Sequence, residues 1–248
     1  MHKLVFGFCL LILFHPAFAI VDLTDVHLTD YSPGIRGNVT LSLDGNAGNS
    51  ETLNTSIVSQ LQARLSHHTY IFNASYAYGE SRDVKNTDKA FAHARYMRDV
   101  GRHHGWELFT QWQRNEFARL ESRTLAGGGW RYRNRTKAKK LALVTGAGAF
   151  WEKENLDEAD TADTLRGNLY LLFNWTLNAH TEWFNTSYYQ PALEHNNDYR
   201  VLQSTGLTVK LNEAFKLKLS VDLSYDSLPP DGVKDYDVHY HTGLRYQF

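Results

Sequence analysis

The chain of 248 residues contains one cysteine, Cys9, near its N-terminus. A single cysteine cannot form an intramolecular disulfide, which excludes a small scaffold stapled by disulfide bonds. Proline is scarce as well, with five residues, and proline interrupts strands as well as helices. The stability of the fold must therefore come from one large core or from a sheet that closes on itself.

Long hydrophobic runs are missing beyond the N-terminal segment. A spanning helix needs about 20 consecutive apolar residues, and no later segment of the chain approaches that length. The formal net charge is −1, and lysines and arginines do not gather into the basic patch of a nucleic-acid binder. We therefore predict no transmembrane helix and no nucleic-acid partner.

The N-terminal segment has the layout of a secretory signal. Residues 1–3 are basic, residues 4–14 are apolar, and Ala17 and Ala19 give a small-x-small cleavage site. The apolar run is too short to span a membrane as a helix. We predict a signal peptide at 1–19, a short periplasmic extension at 20–37 and a single domain at 38–248.

What the chain has in abundance is alternation of apolar and polar residues, seen best in the last thirteen positions. One face carries Tyr236, Val238, Tyr240, Thr242, Leu244, Tyr246 and Phe248; the other carries Asp237, His239, His241, Gly243, Arg245 and Gln247. Side chains of a strand point to opposite faces with period two. An apolar strand face left open at a chain end would aggregate in water, so the pattern favours a face that meets lipid in a closed barrel.

The alternation recurs along the chain and predicts the fold class. Twelve segments show it, an even number as in bacterial single-chain barrels. Longer polar stretches at 79–89, 115–122, 152–163, 190–198 and 226–235 are expected to be external loops, with shorter turns at the other end. We predict an all-β protein, a single antiparallel transmembrane β-barrel of about twelve strands of the bacterial outer-membrane type. A soluble, lipocalin-like barrel is the alternative.

Several segments together resemble a known family. They are the hairpin at 37–50, the segment 116–132 with its glycines at 127–129, the segments 189–191 and 198–200, and the terminal strand. The chain is similar to the salt-induced outer-membrane proteins (YdiY-like, domain of unknown function 481). The resemblance implies a bacterial outer-membrane barrel with a stress-responsive, salt-induced role, and it supplies no catalytic or binding residues.

Basic side chains exceed acidic ones on the face that alternation assigns to the lumen. The candidate selectivity residues are Arg64, Arg95, Arg131, Arg166, Arg200, Lys216, Lys218, His239, His241 and Arg245. Rings of arginine and lysine favour anions in pores. We predict a non-enzymatic barrel, either a narrow channel for small anionic solutes or, if these cations pair with carboxylates, a closed structural barrel.

An acidic external loop motivates a second hypothesis. Its carboxylates are Glu152, Glu154, Asp157, Glu158, Asp160 and Asp163. Such a loop would bind divalent cations that bridge lipopolysaccharide, which gives an envelope-stabilising or surface-interaction barrel without transport. The expected partners are outer-membrane lipid, lipopolysaccharide and the barrel-assembly machinery, which would engage the strand ending at Phe248. We expect a monomer, because closure removes all strand edges.

An outer-membrane hydrolase is the third hypothesis, and we predict no enzyme. His93, His180, Glu107 and Glu182 lie among serines on the inner face, but no Gly-x-Ser-x-Gly motif is present. The pair His239-x-His241 lacks the third ligand that a zinc site requires. We therefore expect no catalytic residues, no metal and no cofactor.

Overall fold

The computed structural model describes residues 33–46, 52–135, 140–156, 161–195, 197–229 and 232–248, with the backbone but not the side chains at 44–46 and 135. The predicted signal peptide and all but the last five residues of the predicted extension lie outside this part of the chain.

The described residues form twelve strands and one short 3-10 helix. The strands are β1 (Gly34–Asn46), β2 (Thr52–Leu65), β3 (His68–Ser81), β4 (Val84–Val100), β5 (His104–Asn115), β6 (Leu120–Arg135), β7 (Leu141–Leu156), β8 (Ala162–Thr176), β9 (Thr181–Pro191), β10 (Tyr199–Lys210), β11 (Phe215–Asp226) and β12 (Tyr236–Gln247). The 3-10 helix, Glu116–Ala118, connects β5 to β6. No helix in the described ranges is long and apolar enough to cross a membrane.

Each strand pairs antiparallel with the next, and β1 pairs with β12, so the sheet closes into a barrel. This confirms the predicted all-β barrel and its twelve strands. Below, the termini end is the end of the barrel at which β1 begins and β12 ends, and the loop end is the opposite one.

The two faces of each strand follow the alternation of the sequence. On β11, Phe215, Leu219 and Val221 are exposed on the outer wall, whereas Ser220 and Ser224 are buried inside. Sliding the strand by one residue would exchange these two sets. The outer wall as a whole is apolar, and the inner wall carries most of the polar side chains.

Aromatic side chains border the outer wall near both ends. Trp175 and Trp183 lie at the termini end of β8 and β9, with ring centroids 6.2 Å apart. Tyr189, Tyr199 and Tyr225 form a row at the loop end of β9, β10 and β11, with neighbouring centroids 5.9 and 5.7 Å apart. Two aromatic borders around an apolar band are typical of membrane-spanning barrels.

Several strands extend beyond their expected limits. β1 begins at Gly34, within the predicted extension, and β7 continues to Leu156. The stretch 79–89, expected to be a long loop, contains only a two-residue turn at Arg82 and Asp83, whose φ angles of 51° and 60° suit a tight hairpin. At 79–89 and at the end of β7 the error has one cause: polar residues that face the lumen give a strand the composition of a loop.

The hydrophobic core lies inside the barrel, against the strands from β3 to β10. It contains Ile71, Phe91, Met97, Ala142, Val144, Tyr170, Leu172 and Tyr188, with Leu202 packed against them. A second, smaller group comprises Phe109, Leu125 and Phe150. These side chains fill one side of the lumen and leave the other side, along β11, β12, β1, β2 and the loop-end halves of β3, β4 and β5, to polar residues.

Candidate functional site in the barrel lumen

A network of buried ion pairs occupies the filled side of the lumen at the loop end. Glu152 on β7 is its centre, with Arg166 Nε 3.0 Å and Arg200 Nη1 2.7 Å from its carboxylate. Glu154 lies 2.6 Å from Arg123 and 2.9 Å from Arg200. Because buried charges are costly unless they are paired and hydrogen-bonded, this dense pairing is what allows so many ions inside the barrel.

The network also ties a loop and a neighbouring strand to the lumen. Arg166 donates two hydrogen bonds to Asp198, of 2.8 and 2.9 Å, and Asp198 belongs to the connection between β9 and β10. Arg200 Nε donates to Asp226 at the end of β11 over 2.7 Å. Bidentate guanidinium–carboxylate pairs hold their partners in a fixed orientation. The loop end of the filled side is therefore closed by paired charges.

Two further ion-paired groups lie deeper in the lumen. Near the termini end, Asp99 pairs with Arg64 over 3.0 Å and also with Arg131. At mid-height Arg95 pairs with Glu107 over 3.2 Å, and its guanidinium stacks on the ring of Phe109 at 5.1 Å. Arg64 and Arg131 thus share one carboxylate from a strand two positions away, and Arg95 has the carboxylate of Glu107 on the adjacent strand β5.

The structure thus divides the predicted lumen cations into two sets. Five arginines lie on the inner wall, each in contact with a carboxylate: Arg64, Arg95, Arg131, Arg166 and Arg200. The remaining predicted residues lie on β11 and β12: Lys216, Lys218, His239, His241 and Arg245. Of this second set, Lys218, His239, His241 and Arg245 line the large cavity of the lumen.

A polar cavity of about 210 Å³ lies on this other side of the lumen. Its charged and ionisable lining residues are Lys89, Arg114, Lys218, Asp222, His239, His241 and Arg245, among serines, threonines and amides. Asp222 is the one carboxylate of this lining in the part of the chain that the structure describes. Lys89, from β4, lies within electrostatic range of Asp222 and Asp237 across the lumen. Lys218 Nζ lies 4.8 Å from the centre of the Phe184 ring.

The lining of the cavity extends along most of the barrel. Asn38 and Arg245 lie close to the termini end, on β1 and β12, and Gln113 and Asn115 lie at the loop end of β5. Lys216 is paired with Arg245 across the β11–β12 ladder, next to the cavity but outside its lining. The polar side of the lumen therefore runs from one end of the barrel towards the other.

The acidic external loop has to be corrected. Glu152 and Glu154 are buried in β7, with exposed fractions of 2% and 8%, and point inward into the arginine network. Asp163 is an exposed residue of β8 that pairs with Lys153. Asp157, Glu158 and Asp160 lie outside the described residues. The alternation already indicated that the two glutamates face inward, because residues 152 and 154 lie two and four positions after the inward-facing Phe150.

Two lumen residues escaped the sequence-based list. Arg123 received no role, and Lys89 was placed at the end of the expected loop 79–89. Both have the parity of the inner wall, and both face charged groups on other strands. Their partners belong to strands that are distant in sequence, which alternation cannot reveal.

The residues of the hydrolase hypothesis are not brought together. His93 is buried between the rings of Phe91 and Phe109, at centroid distances of 6.2 and 6.1 Å. Its two ring nitrogens lie 3.2 Å from Gln111 Oε1 and 3.3 Å from Arg95 Nε. His180 belongs to the turn between β8 and β9. Within the described ranges no group of three or more His, Cys, Asp or Glu side chains could hold a metal ion.

A family model described as "Protein of unknown function, DUF481" matches residues 39–248. The chain belongs to this family. The match covers the whole barrel from β1 to β12 and confirms the resemblance noted in the sequence. A comparison with curated proteins gave no match.

Solved structures similar to this family member are outer-membrane barrels. The translocator domain of autotransporter NalP from Neisseria meningitidis is 14% identical, with 89% of this chain and 91% of that domain covered and a TM-score of 0.50. The KdgM porin is 12% identical, with 87% and 99% covered and a TM-score of 0.45. At such identities the likeness concerns the fold alone.

Proposed function

We propose that this DUF481 protein is a bacterial outer-membrane barrel that passes small anionic solutes along the polar side of its lumen. The membrane position is supported by the apolar outer wall, by its aromatic borders and by the fold shared with outer-membrane barrels. An apolar wall of this extent is unfavourable in water and favourable in contact with lipid.

The preference for anions is supported by one observation above all. The lining of the cavity contains the cations Lys89, Lys218 and Arg245 and, in the described chain, the carboxylate of Asp222; Asp237 also lies within electrostatic range of Lys89. Cationic side chains around a narrow polar path lower the energy of an anion and raise that of a cation. Small inorganic or organic anions fit a cavity of about 210 Å³.

The experiment is a planar-bilayer recording of refolded protein in a KCl gradient. We expect single-channel conductance. Its reversal potential should lie closer to the equilibrium potential of chloride than to that of potassium. Lys218→Gln should shift the reversal potential towards zero, because it removes one cation from the path. The control is Lys153→Gln. Lys153 is an exposed residue on the outer face of β7, so this variant removes the same charge outside the lumen and should leave the reversal potential unchanged.

Two results would contradict the proposal. A folded protein that inserts but conducts nothing would make the barrel a closed structural element of the envelope. Equal effects of Lys218→Gln and Lys153→Gln would show that ions do not pass beside Lys218.

A further inference from the structure

Arg98 is an exposed cation on the outer wall near the termini end. It lies two residues before the end of β4 and two residues after the outward-facing Tyr96. None of the ion pairs among the described residues includes Arg98, and the neighbouring carboxylate of Asp99 faces inward to Arg64 and Arg131. An arginine on a lipid-facing wall is unfavourable at the bilayer midplane but tolerated at the interface, where lipid phosphates lie.

A histidine and two aromatic residues surround Arg98. The register places it beside His68 of β3 on one side and beside Trp106 of β5 on the other. The hydroxyl oxygen of Tyr96 lies 2.7 Å from Nδ1 of His68, and the Tyr96 ring meets Trp106 edge to face at a centroid distance of 5.2 Å. We name these four residues the Arg98 cluster. Tyrosine and tryptophan at this position are typical of the level of the lipid head groups.

An apolar groove of about 490 Å³ begins directly beside the Arg98 cluster on the outer wall. Its outward-facing lining includes two cross-strand rows over β3, β4 and β5, which are Tyr70, Tyr96 and Leu108 and then Phe72, Ala94 and Thr110. The small side chain of Ala94 leaves space between its larger neighbours. Since Tyr96 belongs to both the groove and the Arg98 cluster, the two form one continuous surface with a basic end and an apolar length.

We propose that this surface binds one anionic glycerophospholipid, with its phosphate at Arg98 and an acyl chain in the groove. Arginine pairs with phosphate through two parallel N–H groups, and the imidazole of His68 lies beside it. A zwitterionic lipid would bring its own ammonium group next to Arg98 and would bind less well. Charge complementarity therefore decides the class of lipid, and the groove decides that the phosphate belongs to a lipid.

The position of the site also indicates the leaflet. The turns at this end, between β2 and β3 and between β4 and β5, are short, as the periplasmic turns of bacterial barrels are. The lipid would then belong to the periplasmic leaflet. The inference rests on the membrane position in the proposed function and uses no residue of the lumen cavity's charged lining.

Native mass spectrometry of the refolded protein tests the head-group part of the site. Titration with dioleoyl phosphatidylglycerol or dioleoyl phosphatidylcholine from detergent gives the affinity for the first bound lipid, which should be higher for phosphatidylglycerol. Arg98→Gln should weaken phosphatidylglycerol binding about fivefold, the contribution of one cationic side chain beside anionic lipid, and phosphatidylcholine binding much less. The control Lys153→Gln removes an exposed cation of the outer wall at the loop end and should change neither affinity.

A second variant tests the groove. Ala94→Phe should weaken the binding of both lipids, because the added ring occupies the place of the acyl chain. Its control is Ala147→Phe, which adds the same ring at an exposed outward position of β7, outside the groove, and should leave both affinities unchanged. Glycerol 3-phosphate, a phosphate without acyl chains, should not displace phosphatidylglycerol at equal concentration.

The inference is overturned if the two lipids bind alike, if Arg98→Gln acts no more strongly than Lys153→Gln, if Ala94→Phe binds lipid as the unaltered protein does, or if glycerol 3-phosphate competes equally. A dimer that Ala94→Phe converts to a monomer in the same spectra would also overturn it, because a second copy of the chain would then occupy the groove.

Chloride conductance separates this inference from the proposed function. A barrel that conducts but binds the two lipids alike keeps the channel and loses the lipid site. Selective lipid binding that depends on Arg98 and Ala94, in a barrel without conductance, keeps the lipid site and loses the channel.

Discussion

Glu152 is a single side chain on which three arginines converge. Arg166 and Arg200 hydrogen-bond to its carboxylate, and Arg123 Nε lies 3.5 Å away. All four side chains are nearly inaccessible to solvent. Removing one member of such a group leaves the others buried with excess charge, which costs far more than the intact pairs contribute.

We predict that Glu152→Leu destabilises the folded barrel by about 3–5 kcal/mol, the usual cost of breaking a buried ion pair. Equilibrium unfolding in urea, followed by heat-modifiable gel migration in lipid vesicles, measures the difference. The control is Glu213→Gln, which removes an exposed carboxylate 2.6 Å from Lys210 in a turn and should not shift the transition, because exposed ion pairs contribute little. Equal stabilities of the two variants would mean that the arginine network is solvated in the membrane.

The inward direction of residues such as Arg166 and Arg200 could be predicted from alternation, since parity within a strand decides the face. Their partners could not. Arg200 meets Glu152 and Asp226 because β10 lies across from β7 and next to β11 in a closed sheet. That closeness depends on barrel closure and stagger, which no local pattern encodes. Five of the ten predicted lumen residues therefore contact carboxylates in a way that the sequence could not show.

At the level of elements, a glycine of β7 provides room for a ring of the core. Gly146 shows this most clearly, because a Cβ atom there would lie 2.2 Å from the ring of Tyr170. Tyr170 is buried and packs against Tyr188 at a centroid distance of 5.6 Å. Glycine in a strand marks a close approach rather than a turn at this position.

We predict that Gly146→Ala destabilises the barrel by about 1–3 kcal/mol, as overpacking in a filled core does. The same exchange at Gly167 on β8, where the nearest atom would lie 3.4 Å away, should be neutral or slightly stabilising, because alanine has less freedom to lose on folding. Tyr170→Leu should relieve most of the Gly146→Ala penalty in the double variant. If the penalty persists in the double variant, the strain arises in the backbone and not from contact with the Tyr170 ring.

The extent of the strands also shows where sequence patterns fail. Twelve segments and their faces were predicted because apolar residues recur with period two on the lipid side. Strand ends were misplaced where an inner wall rich in Glu, Arg and Asn continues past the apolar band, as at Glu152 and Glu154. A strand whose outer residues are also polar has the composition of a loop. Its hydrogen bonds to the neighbouring strands are what make it a strand.

At the scale of the whole molecule, the barrel is held closed by a short ladder at the termini end. Phe248 pairs with Gly37 through two backbone hydrogen bonds of 3.1 Å, and its ring covers Gly37 so closely that a Cβ atom there would lie 2.5 Å from it. Since β1 and β12 pair at only four further positions among the described residues, these contacts form a large share of the closure. Phe248 thus contributes to the closure of the barrel both through its backbone and through its side chain.

Two variants at Phe248 separate the backbone contribution to closure from the side-chain contribution. Deleting Phe248 removes the ring and both backbone hydrogen bonds, whereas Phe248→Ala removes the ring alone. Because a backbone hydrogen bond contributes about 0.5–1.5 kcal/mol net, we predict that the deletion costs about 1–3 kcal/mol more than the alanine variant in urea unfolding from lipid vesicles. Both should still migrate as folded barrels before heating, since the other eleven junctions are intact. If the two variants unfold at the same urea concentration, the two backbone hydrogen bonds of Phe248 contribute nothing, and closure depends on the remaining contacts between β1 and β12, such as Ser42 with His241.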